Sequence, residues 1–159
     1  METQNSIFGW LPCPVVFVST VSGDKRDIMT GTAMFVSEKE PLVAVSLSKS
    51  RLTSQLLEEA GEFVIAIAST GQEELAEQLG GMKGSEVDKF EALAIEELRT
   101  TEGKPTVPAE SAAWMICRVE SAQDVHGYRH VIARVVEEMD LGRLPMVWHR
   151  YRYCSLTDL

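Results

Sequence analysis

The chain has few cysteines, few aromatic residues and no long apolar run, and each scarcity removes a class of protein. Cys13, Cys117 and Cys154 are odd in number and far apart, with no C-x-x-C pair. That argues against a disulfide framework or a zinc ribbon and points to a reducing compartment. No stretch approaches the roughly 20 apolar residues of a membrane helix. The opening METQNSIFGW lacks the basic start and apolar centre of a signal peptide, so a cytoplasmic location without membrane association is expected. Positive charge is scarce too: 15 Lys and Arg stand against 24 Asp and Glu, a net charge of −9. Such a field repels nucleic acid and anionic lipid, and neither is expected as a partner.

Common catalytic motifs are missing. There is no Walker A sequence and no G-x-S-x-G elbow, and Gly80-Gly81-Met82-Lys83-Gly84 has neither the spacing nor the context of a dinucleotide fingerprint. His126 and His130 are four apart, a metal-binding spacing on a helix. In a strand that spacing separates them by roughly 13 Å, too far to share an ion, so no metal is expected.

What is present is β-rich. The 159 residues contain no repeat or linker and fit one domain. Residues 15–21 are rich in β-branched types and end at a Ser22-Gly23-Asp24 turn. Residues 27–35 read as a second strand, with Gly31 marking either a bulge or the close approach of another group. In the third, beginning at Pro41, Val43, Val45 and Leu47 share one face, while Leu42, Ala44, Ser46 and Ser48 share the other. The second face shrinks toward small residues, leaving room for something flat, or simply facing water.

A helix is expected over 52–60, stopped by Gly61, then a strand over 62–68. Thr70 to Glu73 fits a capping box for a helix over 71–79. Another short helix is expected over 85–93 with Val87 and Phe90 inward, and a loop over 100–108. Two long strands joined by a loop over 122–127, and a last strand over 146–155, complete about seven short strands. A small antiparallel barrel with helical additions is the natural packing.

The turn after the third strand, from Ser46 to Thr53, places four hydroxyls and two cations, Lys49 and Arg51, at a helix N-terminus. Unpaired N–H groups and the positive end of the helix dipole make such a place suit a phosphate. The alternative is that Ser50 merely caps the helix while both cations are solvated.

Taken in order, residues 14–20, Met29-Thr30-Gly31-Thr32, residues 41–47, Ser50-Arg51-Leu52-Thr53, Gly61-Glu62-Phe63, Asp88-Lys89-Phe90 and the strand over 145–153 resemble the flavin reductase-like, FMN-binding split-barrel family, which includes flavoredoxins. The resemblance spans about residues 9–155. It implies a single, mainly β domain: a six-stranded antiparallel Greek-key split β-barrel with a few inserted short helices. It also implies a homodimer binding FMN. Carried over by position, Met29, Thr30, Gly31 and Thr32 would line the isoalloxazine ring, and Ser46 and Ser48 the ribityl chain. Ser50, Arg51 and Thr53 would hold the phosphate, and Lys89 and Phe90 would approach the flavin.

The implied activity is an oxidoreductase passing reducing equivalents from NAD(P)H through FMN to free flavin or another small-molecule or protein acceptor. The alternative is a flavoredoxin-type electron carrier that does not oxidise NAD(P)H directly. No acid–base residue is assigned, because the cofactor supplies the chemistry. Family members often carry Asn where Asp27 stands and an aromatic where Ala33 stands. Many carry a Gly-Asp-His triplet whose place here is taken by Tyr128 or His130.

Overall fold

A computed structural model describes residues 6–100 and 104–157. A 3-10 turn (Ile7–Trp10) and short β1 (Cys13–Pro14) lead into β2 (Val16–Ser22) and β3 (Lys25–Gly31). Then come β4 (Ala33–Ser37), β5 (Leu42–Ser48), α1 (Leu52–Ala60), β6 (Glu62–Ile67), α2 (Glu73–Gly81) and α3 (Lys89–Ala92). The short β7 (Glu97–Leu98) and β8 (Val107–Pro108) pair with each other. The long hairpin of β9 (Ala113–Val125) and β10 (Tyr128–Asp140) follows, and β11 (Met146–His149) and β12 (Arg152–Ser155) end the chain. No described helix is long and apolar enough to cross a membrane.

Seven strands form one antiparallel sheet in the order β3-β2-β6-β9-β10-β5-β4. β3 and β4 hold opposite edges of it, yet only Thr32 separates them in the chain. The sheet therefore curls until its edges approach, and β3 comes against β5. The mainly β, antiparallel expectation holds. The single strand expected over 27–35 is two strands, because the chain changes edge at Thr32.

Strand alternation divides the core in two. Val16, Val18, Val45, Leu47, Phe63 and Ile65 point into the barrel. Their neighbours Phe17, Val64 and Ala66 point outward, where Ala76 and Leu79 of α2, Phe90 of α3 and Met146 of β11 cover them. Burying each large side chain contributes about 1.5–3 kcal/mol, so strands covered on both faces anchor the fold. β5 and β10 send Val43, Val45, Leu47, Val131 and Ala133 into the inner cluster and contribute no buried residue to the outer one. Their outer face is the bare wall of the barrel.

The helices follow the sequence in part. α1 buries Leu56 and Leu57 and ends on Gly61 at φ 67, a left-handed conformation that costs glycine nothing. Glu58 and Glu59, the wrong sign for its C-terminal dipole, have partners elsewhere: Glu58 pairs with Arg129, and Glu59 accepts from Ser22 Oγ at 3.0 Å. No capping box forms at α2; Gln72 Oε1 instead accepts the Ser69 N–H at 3.0 Å. The helix expected over 85–93 shrinks to α3, set by the Asp88 carboxylate, which accepts the N–H groups of Phe90 and Glu91. Val87, expected inward, is 42% exposed. Of the loop expected over 100–108, residues 101–103 lie outside the described residues.

The loop expected over 122–127 is a tighter turn, since β9 and β10 stay paired to Val125 and Tyr128. The expected last strand is a hairpin that reverses at Arg150 and Tyr151, both at positive φ. The Arg150 guanidinium lies 3.9 Å from the Trp10 ring centroid, so the 3-10 turn braces this reversal.

Candidate functional site

The bare face of β5 carries Ser46 and Ser48, and the pairing register sets His130 of β10 opposite Ser46 and Tyr128 opposite Ser48. Directly opposed residues share a face, so all four side chains line one strip. Both candidates for the family histidine therefore occupy the same wall. Thr32 precedes Ala33, whose partner Val45 precedes Ser46, so the strip begins at the barrel seam. A side chain at Gly31 would meet no atom within 4 Å, and Thr32 is exposed.

At its other end the strip runs into the turn before α1. Ser48 Oγ and Ser50 Oγ are 2.9 Å apart. Arg51 occupies the N-cap position with extended backbone, and no side chain caps the helix. The alternative role of Ser50 as a plain cap is thus not realised; the Ser54 N–H donates to Arg51 O at 3.1 Å, and the N–H groups of Leu52 and Thr53 remain available. The Arg51 guanidinium crosses to the end of α2, donating to Met82 O at 3.0 Å and Gly80 O at 3.3 Å. Among the described residues it pairs with no carboxylate.

Between these elements lies a cavity of about 500 Å³ lined by Ser50, Arg51, Leu52, Gly81, Lys83, Gly84 and Ser85. It combines two cations, two hydroxyls and a helix N-terminus, a donor set suited to an anion. A larger hollow of about 650 Å³ beside α2 is lined by Glu74, Glu96 and Glu110, the wrong sign for that purpose.

Lys49, the other cation of the turn, does not join the cavity. It lies 2.8 Å from Asp124, which Arg129 also holds at 3.0 Å. The Arg129 hydrogen bond, then that of Lys49, keeps the Asp124 carboxyl well below the usual carboxylate range.

Several residues chosen from the sequence lie inside the protein instead. Thr53 is fully buried and donates to Asp27 Oδ2 at 2.7 Å. Lys89 Nζ donates to Ile28 O at 2.6 Å and lies 3.1 Å from Asp27 Oδ1. Phe90 is 4% exposed, in the outer core, with the Arg26 guanidinium 4.4 Å from its ring centroid. Thr30 Oγ1 donates to Ala76 O at 2.8 Å, docking α2 on β3, and Met29 packs on the inner cluster. The structure thus gathers Gly31, Thr32, Ser46, Ser48, Ser50 and Arg51 along the accessible strip and cavity. It sets Thr53, Lys89 and Phe90 behind them.

Gly81, Lys83, Gly84 and Ser85 were missed. The glycine run ending α2 signalled a turn, but only the fold shows that this turn faces Arg51. Cys117 is also excluded from chemistry: burial pushes its thiol up to about 12, so it stays protonated within the barrel.

Known proteins share this fold. The flavin reductase like domain family matches residues 8–157, and the chain belongs to that family. The reductase component of 4-hydroxyphenylacetate 3-monooxygenase from Thermus thermophilus is 30% identical over 146 residues, covering 90% of this chain and 88% of that protein. An Escherichia coli protein, YddH, described as uncharacterized, is 31% identical over 110 residues, 67% of this chain; the match spans only 58% of the E. coli protein. In fold, the chain is similar to the NADH:FAD oxidoreductase SgcE6 of Streptomyces globisporus C-1027. The TM-score is 0.85 at 22% identity, covering 96% of this chain and 90% of that one.

Proposed function

We propose that this chain is a flavin reductase that binds FMN along the strip from Thr32 to Arg51 and takes its electrons from NAD(P)H. The observation that carries the reading is Arg51. In a chain of net charge −9, its guanidinium has no carboxylate partner among the described residues and lines a cavity at an uncapped helix N-terminus. The residues fit the cofactor's parts. Ser50, Arg51 and the N–H groups of Leu52 and Thr53 would hold the phosphate. Ser46 and Ser48 would accept the polar chain, and Gly31 and Thr32, free of overlying side chains, would admit the ring.

When bound, the flavin supplies the hydride and electron chemistry. The protein's own part is to orient the cofactor and to leave one side of it open, which the bare face of β5 and β10 allows. Membership of the family and the likeness to reductase components support a reductase over a passive carrier. The acceptor fits the class of free flavin, passed on to a partner enzyme, as the name of the Thermus relative suggests.

Anaerobic stopped-flow mixing of the FMN-loaded protein with NADH and with NADPH tests this. Flavin bleaching within seconds with either nicotinamide is expected. A loaded protein that neither nicotinamide bleaches is a flavoredoxin-type carrier, and a protein taking up no flavin sinks both readings.

The chain is further proposed to work as a homodimer. Met34 and Phe35 of the edge strand β4 are 66% and 68% exposed. An apolar sheet edge invites pairing unless something covers it, and a second copy is the occupant that supports the family reading. Sedimentation equilibrium should give about twice the 17.6 kDa chain mass. A monomer at all concentrations up to 100-fold above those used for activity removes this part.

A further inference from the structure

A buried polar cluster lies directly behind the cavity. Asp27 and Lys89 are each 2% exposed and Thr53 is wholly buried. Asp27 Oδ2 accepts from Thr53 Oγ1, while Oδ1 lies 3.1 Å from the Lys89 ammonium without hydrogen-bond geometry, because Lys89 aims at Ile28 O. Gly84 presses on the same carboxylate, and a methyl group there would run into it.

One carboxylate therefore ties together four pieces of chain: its own strand β3, the first turn of α1, the loop after α2 and the start of α3. Three of these pieces also make up the site. β3 leads into Met29, Thr30 and Gly31, α1 opens with Arg51 and Leu52, and Gly84 sits on the cavity wall opposite. Arg26 adds a second clamp on α3, 3.0 Å from Asp88.

A buried ion pair is a poor device for stability alone, since neutral packing of equal volume serves as well or better. What it supplies is one defined arrangement, because each charge tolerates only the geometry that satisfies it. β3 is an edge strand, so on one side no strand is hydrogen-bonded to it, although β5 comes near. Lys89 satisfies a backbone carbonyl of that edge strand just before the segment predicted to line the ring.

We propose that Asp27, Lys89 and Thr53 are positioning residues of the flavin site, a buried latch that holds residues 28–31 in register with the first turn of α1. This rests on the flavin reading above. The latch touches no flavin; it acts through the backbone of β3 and the seat of Arg51. Loosening it shifts both the ring and phosphate ends of the site, so FMN and riboflavin weaken together.

The test compares wild type with the double variant Asp27→Asn/Lys89→Met, which removes both charges while keeping volume, and with Thr53→Val and Thr53→Ser. Amide hydrogen exchange on the flavin-free protein reads the latch without activity, and fluorescence titrations read FMN and riboflavin affinity. The expected result is faster exchange at 28–31 and 51–53 but not along β9, with both flavins bound about tenfold more weakly. Thr53→Val reproduces part of this and Thr53→Ser restores it. Should the double variant fail to fold, the Val and Ser pair decides.

Exchange and affinities equal to wild type in the folded variants overturn the latch and leave the flavin reading standing. So does Thr53→Val weakening FMN while sparing riboflavin, which makes Thr53 a direct phosphate contact. A wild type that takes up neither flavin overturns the flavin reading and the latch with it.

Discussion

Lys89→Met should lower the free energy of unfolding by about 3–5 kcal/mol, seen as an earlier urea midpoint at unchanged m-value. The reason is what the substitution leaves behind. The Asp27 side chain is 1% exposed and would keep only the Thr53 hydroxyl as a partner. A charged group stranded in low dielectric costs far more than the original pair was worth. Ile28 O would lose its Lys89 donor as well.

The magnitude separates this pair from the other ion pairs of the molecule. Arg134 bridges Glu40 and Glu120 on the barrel surface, with both acids 41% or more exposed. Exposed pairs of that kind contribute about 0–1 kcal/mol. Asp27→Asn added to Lys89→Met should recover most of the loss, because the buried charge is then gone. A single-variant loss below about 1 kcal/mol would mean that water reaches Asp27, contrary to its burial.

The same cluster marks where the sequence stops being readable. Alternation in 42–48 assigned Val43, Val45 and Leu47 to the core and Ser46 and Ser48 to the open face, and burial agrees, because strand facing is a local property with period two. Gly61 announced the end of α1 for an equally local reason, the left-handed conformation. The phosphate-like turn was legible because helix N-termini and hydroxyls are adjacent in the chain. By contrast, Lys89 lies 62 positions from Asp27, and nothing near either residue reports the other. A lysine beside an aspartate in a short helix reads as a surface cation; only the packing of α3 on β3 makes it the one buried lysine among the described residues. The burial of the Thr53 side chain was hidden for a related reason. Thr53 stands two residues beyond Arg51, and that step, about half a helical turn, directs the two side chains to opposite sides, one to the cavity and one to Asp27. The break at Thr32 carries only the ambiguous signal of Gly31, and the reversal at Arg150 carries no Asn-Gly or Gly-rich signal. Tertiary partners, barrel closure and the Trp10 ring, impose them.

Arg51→Ala should weaken FMN by about 100-fold, close to 3 kcal/mol, and riboflavin by less than about threefold. The split follows from what Arg51 faces. Riboflavin lacks the phosphate, so it does not use the guanidinium, whereas FMN gains charge-assisted hydrogen bonds worth about twice a neutral one. The α1 N-terminus survives the substitution and retains about 0.3–1 kcal/mol of attraction for the anion, so FMN binding weakens without vanishing. Salt gives an independent check. Wild-type affinity for FMN should fall as ionic strength rises, and the variant should show a flatter dependence, since a charge contact has been removed.

Arg51 also ties the start of α1 to the end of α2 through Gly80 O and Met82 O, and that link has its own signature. If the tie were the whole contribution, the cavity would open, and FMN and riboflavin would weaken equally. Arg51→Lys then discriminates further: it keeps the charge but not the planar fork that spans two carbonyls. Affinity for FMN closer to wild type than to Arg51→Ala assigns the loss to charge at the phosphate. Affinity as low as in Arg51→Ala assigns it to the link between the helices.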